Sequence, residues 1–203
     1  MSLNRYIEKS AEWLNKCQSI IDGATLKASP RNRISAGLLS LALEHHGAIQ
    51  LLTNTPPPHY GSASALLRPQ FEAFIRGVWF HRCASKEEID NFITSDEVPG
   101  INTLIGAIEA LPEYDEGLVK KTNEKAWKPM CGFTHGGFSQ AYSQNNASTI
   151  ESNYTDEQIY EIIKSACAIT LTVSIAFAQL SGNTTMMSDI LQEYKELFPE
   201  QPA

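Results

Sequence analysis

The 203 residues contain no run of lysines and arginines longer than a pair, and the net charge is −7. Sequence-independent binding of nucleic acid needs clustered cations that displace counterions from phosphates, so this balance argues against it. The four cysteines, Cys17, Cys83, Cys131 and Cys167, form no Cys-x-x-Cys pair. Their dispersal excludes a disulfide frame or a zinc site and reads as reduced, mostly buried thiols of a cytoplasmic protein. The N-terminus, MSLNRYIEKSAEW, has charges and no apolar core, so no secretory signal is read there. No stretch alternates apolar and polar residues over a useful length, which argues against a sheet. Residues 165–188 lack charge, but their strongly apolar part, Ala166 to Leu180, is shorter than the roughly 20 residues that span a bilayer. A buried central helix is expected there, with no membrane contact. A phosphate-binding glycine loop, a dinucleotide fingerprint, a Gly-x-Ser-x-Gly elbow and a Glu-x-x-His pair are all missing, so neither a cofactor nor a metal is implied.

What is present reads as helix after helix. Apolar residues recur at helical spacing over 3–22, 31–53, about 62–83, 85–94, 100–110, 114–126, 155–181 and about 186–198. Two capping boxes mark starts, Ser85-Lys-Glu-Glu88 and Thr155-Asp-Glu-Gln158, where a hydroxyl and a side chain three residues on satisfy each other's free backbone N–H. Gly23 and Gly182 mark stops, and Thr55-Pro-Pro-Pro58 breaks the chain between the second and third segments. Residues 128–142 are ambiguous, with Pro129 and three glycines among aromatics, and 143–154 form a polar loop. The expectation is an all-α fold: one domain over 1–203, a bundle of about seven or eight helices with its core at about 31–181.

One segment combines burial with charge. In "LLRPQFEAFIRGVWFHR", residues 66–82, Leu67, Phe71, Phe74, Ile75 and Val78 form an apolar stripe. Arg68 and Glu72 lie along its edge and Arg76 sits further round, and the three are spaced to bond at i,i+4. Pro69 is tolerated if the helix begins near Ala65, because the first turn has no intrahelical N–H bond to lose, and it kinks the helix if the start is earlier. An Arg68–Glu72 pair facing inward would hold a guanidinium whose other donors meet a carboxylate, a phosphate or a backbone carbonyl. In the second segment His45 falls on the stripe of Ile34, Leu38, Leu41, Ile49 and Leu52, where an imidazole needs a partner, and His46 points to the solvent side. In "MCGFTHGGFSQAY", residues 130–142, His135 stands before two glycines that permit close backbone approach. Arg68, Glu72, His135 and His45 are the candidate members of one internal polar site.

"LLRPQFEAFIRGVW" followed by a distant "THGG" resembles a group of uncharacterised bacterial helical proteins, domains of unknown function with an Arg-x-x-x-Glu helix and a histidine-bearing segment. The resemblance covers about residues 35–180. It implies a helical bundle with Arg68, Glu72 and His135 as signature positions. A looser likeness is to HEPN-type helical domains of toxin ribonucleases and phage-defence proteins, whose motif is an arginine and, four to six residues on, a histidine. Arg76 and His81 meet that spacing, but Gly77 stands where that family usually has a polar residue. That likeness implies a metal-independent ribonuclease, with His81 as acid/base and Arg76 stabilising phosphate charge. The leading expectation is a cytoplasmic binding or regulatory module, a homodimer, with a small molecule or a protein as partner. Nucleic acid enters only through the ribonuclease alternative.

Overall fold

The computed structural model describes residues 2–114, 118–146 and 148–199. Ten α-helices and one 3-10 turn account for the regular structure, and no strand occurs among the described residues. The helices are α1 (Leu3–Ile21), α2 (Pro30–Asn54), α3 (Tyr60–Ala65), α4 (Leu67–Arg82), α5 (Lys86–Ser95), α6 (Ile101–Glu109), α7 (Leu118–Thr134), α8 (Phe138–Tyr142), α9 (Asp156–Ser181) and α10 (Thr184–Leu197). The fold is all-α, with α2, α4 and α9 packed on one another at its centre and α1 and α10 closing against α9.

Local chemistry sets most boundaries. The capping boxes at Ser85–Glu88 and Thr155–Gln158 are both formed. Gly182 ends α9 at φ +66°, in the left-handed region that glycine occupies without a Cβ penalty. Much of α9 is buried: Ile159, Ile163, Val173 and Phe177 are all core residues. It is the only helix among the described residues long and apolar enough to cross a membrane, and most of that apolar stretch is packed inside the bundle.

Two expected segments divide. The third breaks at Leu66 into α3 and α4. The cause is Pro69, which has no N–H to give the Ala65 carbonyl one turn back, so a continuous helix through 65 loses a bond. The ambiguous stretch becomes the end of α7, a turn, and α8. Residues 115–117 of the expected 114–126 helix lie outside the described residues.

The α2–α4 contact is close because of Gly77. A Cβ there would stand 2.9 Å from the Leu39 side chain, and the Ser35 hydroxyl donates to the Gly77 carbonyl at 2.8 Å. Arg31, in the first turn of α2, covers the far end of α4. Its guanidinium donates to the carbonyls of Phe80 at 2.6 Å and Ala84 at 2.5 Å, groups that a helix end leaves without partners. α4 is thereby clamped along its length, and its N-terminal turn carries the polar site.

Candidate functional site

α4 runs unbroken from Leu67, so Arg68, Glu72 and Arg76 stand on successive turns of one face. Arg68 Nε donates to Glu72 Oε1 at 2.7 Å, and Arg76 Nη2 lies 3.9 Å from the other oxygen of that carboxylate. One carboxylate therefore sits between two guanidinium groups, leaving the trio one positive charge in excess. All three are half-buried. The Arg68 and Glu72 side chains are each 24% exposed, so the pair faces the rim of the core and not its interior.

α7 supplies the other wall. Its helix ends in a tight turn that the sequence builds from three glycines. Gly136 takes φ +66°, and the Gly137 N–H returns to the Gly132 carbonyl at 2.7 Å. A Cβ on Gly137 would lie 2.9 Å from Gly132 Cα, so Gly137 does not admit a side chain without shifting the turn. This turn holds His135 against α4, where Arg68 Nη1 donates to His135 Nε2 at 2.5 Å. The Trp127 ring lies under the Arg68 guanidinium, 4.9 Å from its carbon to the ring centre. The Thr134 hydroxyl lies 2.9 Å from the Met130 carbonyl and 3.3 Å from the Ala65 carbonyl, the one that Pro69 leaves without a helical donor. The proline that breaks the third segment thus opens an acceptor that the residue beside His135 reaches.

Arg68 has been given three neighbours and keeps one nitrogen. Nε is committed to Glu72 and Nη1 to His135, while Nη2 has no hydrogen-bond partner among the described residues. A guanidinium fixed on two sides with one N–H pair free is arranged to receive an anion.

His45 does not join this cluster. It is half-buried, burial lowers the pKa of its imidazole, and no hydrogen bond links it to Arg68 or Glu72 among the described residues. The register expected for α2 is corrected by one residue: His46 is fully buried, and Leu41 and Leu51 are exposed. The apolar-stripe reading fails here because α2 buries polar residues that are paired. His46 Nε2 meets the Ser10 hydroxyl at 3.0 Å, and Nδ1 meets the Thr170 hydroxyl at 2.7 Å. Gln70 Nε2 donates to Thr170 at 3.3 Å, the Cys167 thiol to Ser10 at 2.9 Å, and Gln50 to Ser10 as well. This network joins α1, α2, α4 and α9. A serine beside a histidine held by a third group has the order of a nucleophile and its base, but every member is sealed from solvent, and burial pushes the His46 imidazole down to about 3. Its role is to lock four helices in register.

Arg76 and His81 are not brought together within one chain. They stand five residues apart on the continuous α4, so their side chains leave the axis about 140° apart. Burial and the neighbouring Arg82 and Arg31 lower the pKa of the His81 imidazole. Gly77, between them, is occupied with the α2 contact. No group of three or more histidine, cysteine or carboxylate side chains suited to a metal occurs among the described residues.

Residues 39–201 match a family of unknown function, DUF6988. The chain belongs to this family. Its match in DUF6988 takes in α4, α7 and the whole of α9, so Arg68, Glu72, Trp127 and His135 all lie inside the family's extent while α1 lies outside it. No curated protein and no solved structure matches the chain. Two members of the polar site escaped the sequence reading. Trp127 and Thr134 are ordinary helix residues by pattern, and only the fold sets them against Arg68 and Ala65.

Proposed function

We propose that this member of DUF6988 is a binding or regulatory module whose Arg68–Glu72–His135 site receives an anionic group, a carboxylate or a phosphate. The observation that supports the reading is the Arg68 guanidinium, fixed through Nε and Nη1 with Nη2 left free. Glu72 orients the guanidinium, and Arg76 offsets the carboxylate's charge. Trp127 and His135 hold the plane of the fork, so little side-chain freedom is lost when a ligand arrives. The arrangement offers positioned donors around one guanidinium nitrogen without a partner among the described residues, which favours the binding of an anion.

The test is a thermal-shift titration with inorganic phosphate and with acetate, sodium chloride holding the ionic strength constant. The reading expects a saturable rise in melting temperature with at least one of the two anions. Arg68→Lys keeps the charge and removes the fork, so it should lose most of that rise. A rise equal in wild type and Arg68→Lys, or none with either anion, would sink the reading.

A further inference from the structure

α9 packs against α1, α2, α4 and α10 on its other sides, yet one line of its surface borders an open, mostly apolar cavity of about 1130 Å³. The line is regular. Gln158, Ser165, Ala168, Thr172 and Gln179 all border the cavity, with Glu161 and Ile175 between them. Their spacing alternates between three and four, the spacing of a seam between two helices lying side by side. It runs about 30 Å along the helix at about 1.5 Å per residue. Facing it across the groove are Phe71 and Phe74 of α4 and Met130 and Phe133 of α7. An apolar groove of this extent marks a surface where another surface docks.

We propose that its occupant is a second copy of the chain, α9 against α9, antiparallel about a two-fold axis at Ala168. The seam is its own complement. In a two-fold contact residue i meets j and j meets i. With Ala168 on the axis, each step before it faces the step after it in the other copy. Ser165 then faces Thr172, Glu161 faces Ile175, and Gln158 faces Gln179. Hydroxyl meets hydroxyl and amide meets amide, while the small residues at the centre let the two backbones approach. Gln158 uses its Oε1 on the Thr155 N–H at 2.9 Å, which leaves its Nε2 to donate across the interface. Glu161 keeps Lys164 at 3.3 Å and lays its methylenes on Ile175. Glu113, at the far end of the groove, is already paired with Arg82, so it does not repel the acidic start of the other α9. A parallel pairing would instead set Glu161 on Glu161, like charge on like. This inference is independent of the anion site.

The experiment measures the solution mass by light scattering over a wide concentration range, and crosslinks engineered cysteines in a Cys83→Ser, Cys131→Ser background. The wild type should run at twice the chain's 22.5 kDa. Ala168→Cys should form a disulfide with its own copy on mild oxidation. Ser165→Cys alone should not, because its counterpart lies about 9 Å away along the axis, beyond disulfide reach. Mixed with Thr172→Cys, it should crosslink. Ala168 is exposed, so Ala168→Trp should return the monomer mass without loss of helix content. If that variant unfolds, the cysteine pattern decides by itself. A wild type that stays monomeric at every concentration, or a dimer in which Ala168→Cys does not crosslink, overturns the proposal.

Discussion

Arg68 Nη1 lies 2.5 Å from His135 Nε2, and an arginine has only protons to offer, so that ring nitrogen is the acceptor. The neutral His135 ring must then carry its proton on Nδ1. Nitrogen-15 spectra should find His135 in the Nδ1–H tautomer, the minor form of a free neutral imidazole. Arg68→Ala should release it to the usual mixture. A ring that keeps Nε2–H in the wild type would contradict the contact.

The Arg68–Glu72 pair bears on stability as well as on binding. A fully buried pair that loses one partner costs about 3–5 kcal/mol. Here each side chain is 24% exposed, so water reaches the group left behind. Glu72→Ala should cost about 1–2 kcal/mol in urea unfolding. Glu72→Gln, which can still accept from Arg68 Nε, should cost less. The loss in Glu72→Gln is the check, since a purely packing role for residue 72 would leave this variant, which keeps the side-chain volume, equal to wild type.

His46 gives a pH dependence whose sign follows from its burial. In the folded chain its pKa lies at about 3, against an ordinary 6.5. Between those values the unfolded chain takes up a proton that the folded chain refuses. Stability is therefore complete above pH 6.5 and falls as the solution is acidified, by about 1.4 kcal/mol per pH unit from this one group. Its neighbour Cys167, raised to about 12 by burial, does not titrate in this window. His46→Gln lacks the dependence but also loses its bonds to Ser10 and Thr170. The stability gap between wild type and His46→Gln should be widest at neutral pH and narrow as the pH falls to 4. A gap that widens on acidification would show that His46 accepts a proton in place.

Two glycines on helices should respond oppositely to alanine. At Gly77 the new Cβ meets Leu39 at 2.9 Å in the α2–α4 seam, and overpacking of this kind costs about 1–3 kcal/mol. At Gly37, within α2, nothing lies within 4 Å, and alanine should stabilise by about 0.5–1 kcal/mol through helix propensity. Denaturant midpoints of the two variants, one below wild type and one above, check this.

How far the sequence carries these conclusions depends on the kind of signal. Caps and breakers act locally, so Ser85, Thr155, Gly182 and Pro69 can be read from neighbours in the chain. The stripe on α4 is legible too, because Leu67, Phe71 and Phe74 are apolar where they are buried. α2 is different. Ser35, His46, Gln50 and Thr53 are buried polar residues whose partners come from other helices or from the helix's own carbonyls, so hydropathy assigns the wrong face. The polar site is legible on the α4 side, where Arg68 and Glu72 are one turn apart. Its other side rests on tertiary structure, since His135 is 67 residues from Arg68. Trp127 and Thr134 enter only through the way α7 crosses the start of α4.

The most direct test of the anion site uses Trp127 itself. It lies 4.9 Å beneath the Arg68 guanidinium, while Trp13 and Trp79 are 0% and 3% exposed and insulated from ligand. Tryptophan emission is followed while inorganic phosphate is added at constant ionic strength. The account predicts a saturable change in emission, absent in Trp127→Phe and weakened at least about tenfold in Arg68→Lys, since a lysine cannot keep both the Glu72 and His135 contacts while donating to the anion, and a charge-assisted hydrogen bond is worth about 1.5 kcal/mol or more. A titration that is flat, or identical in wild type and Arg68→Lys, would contradict it.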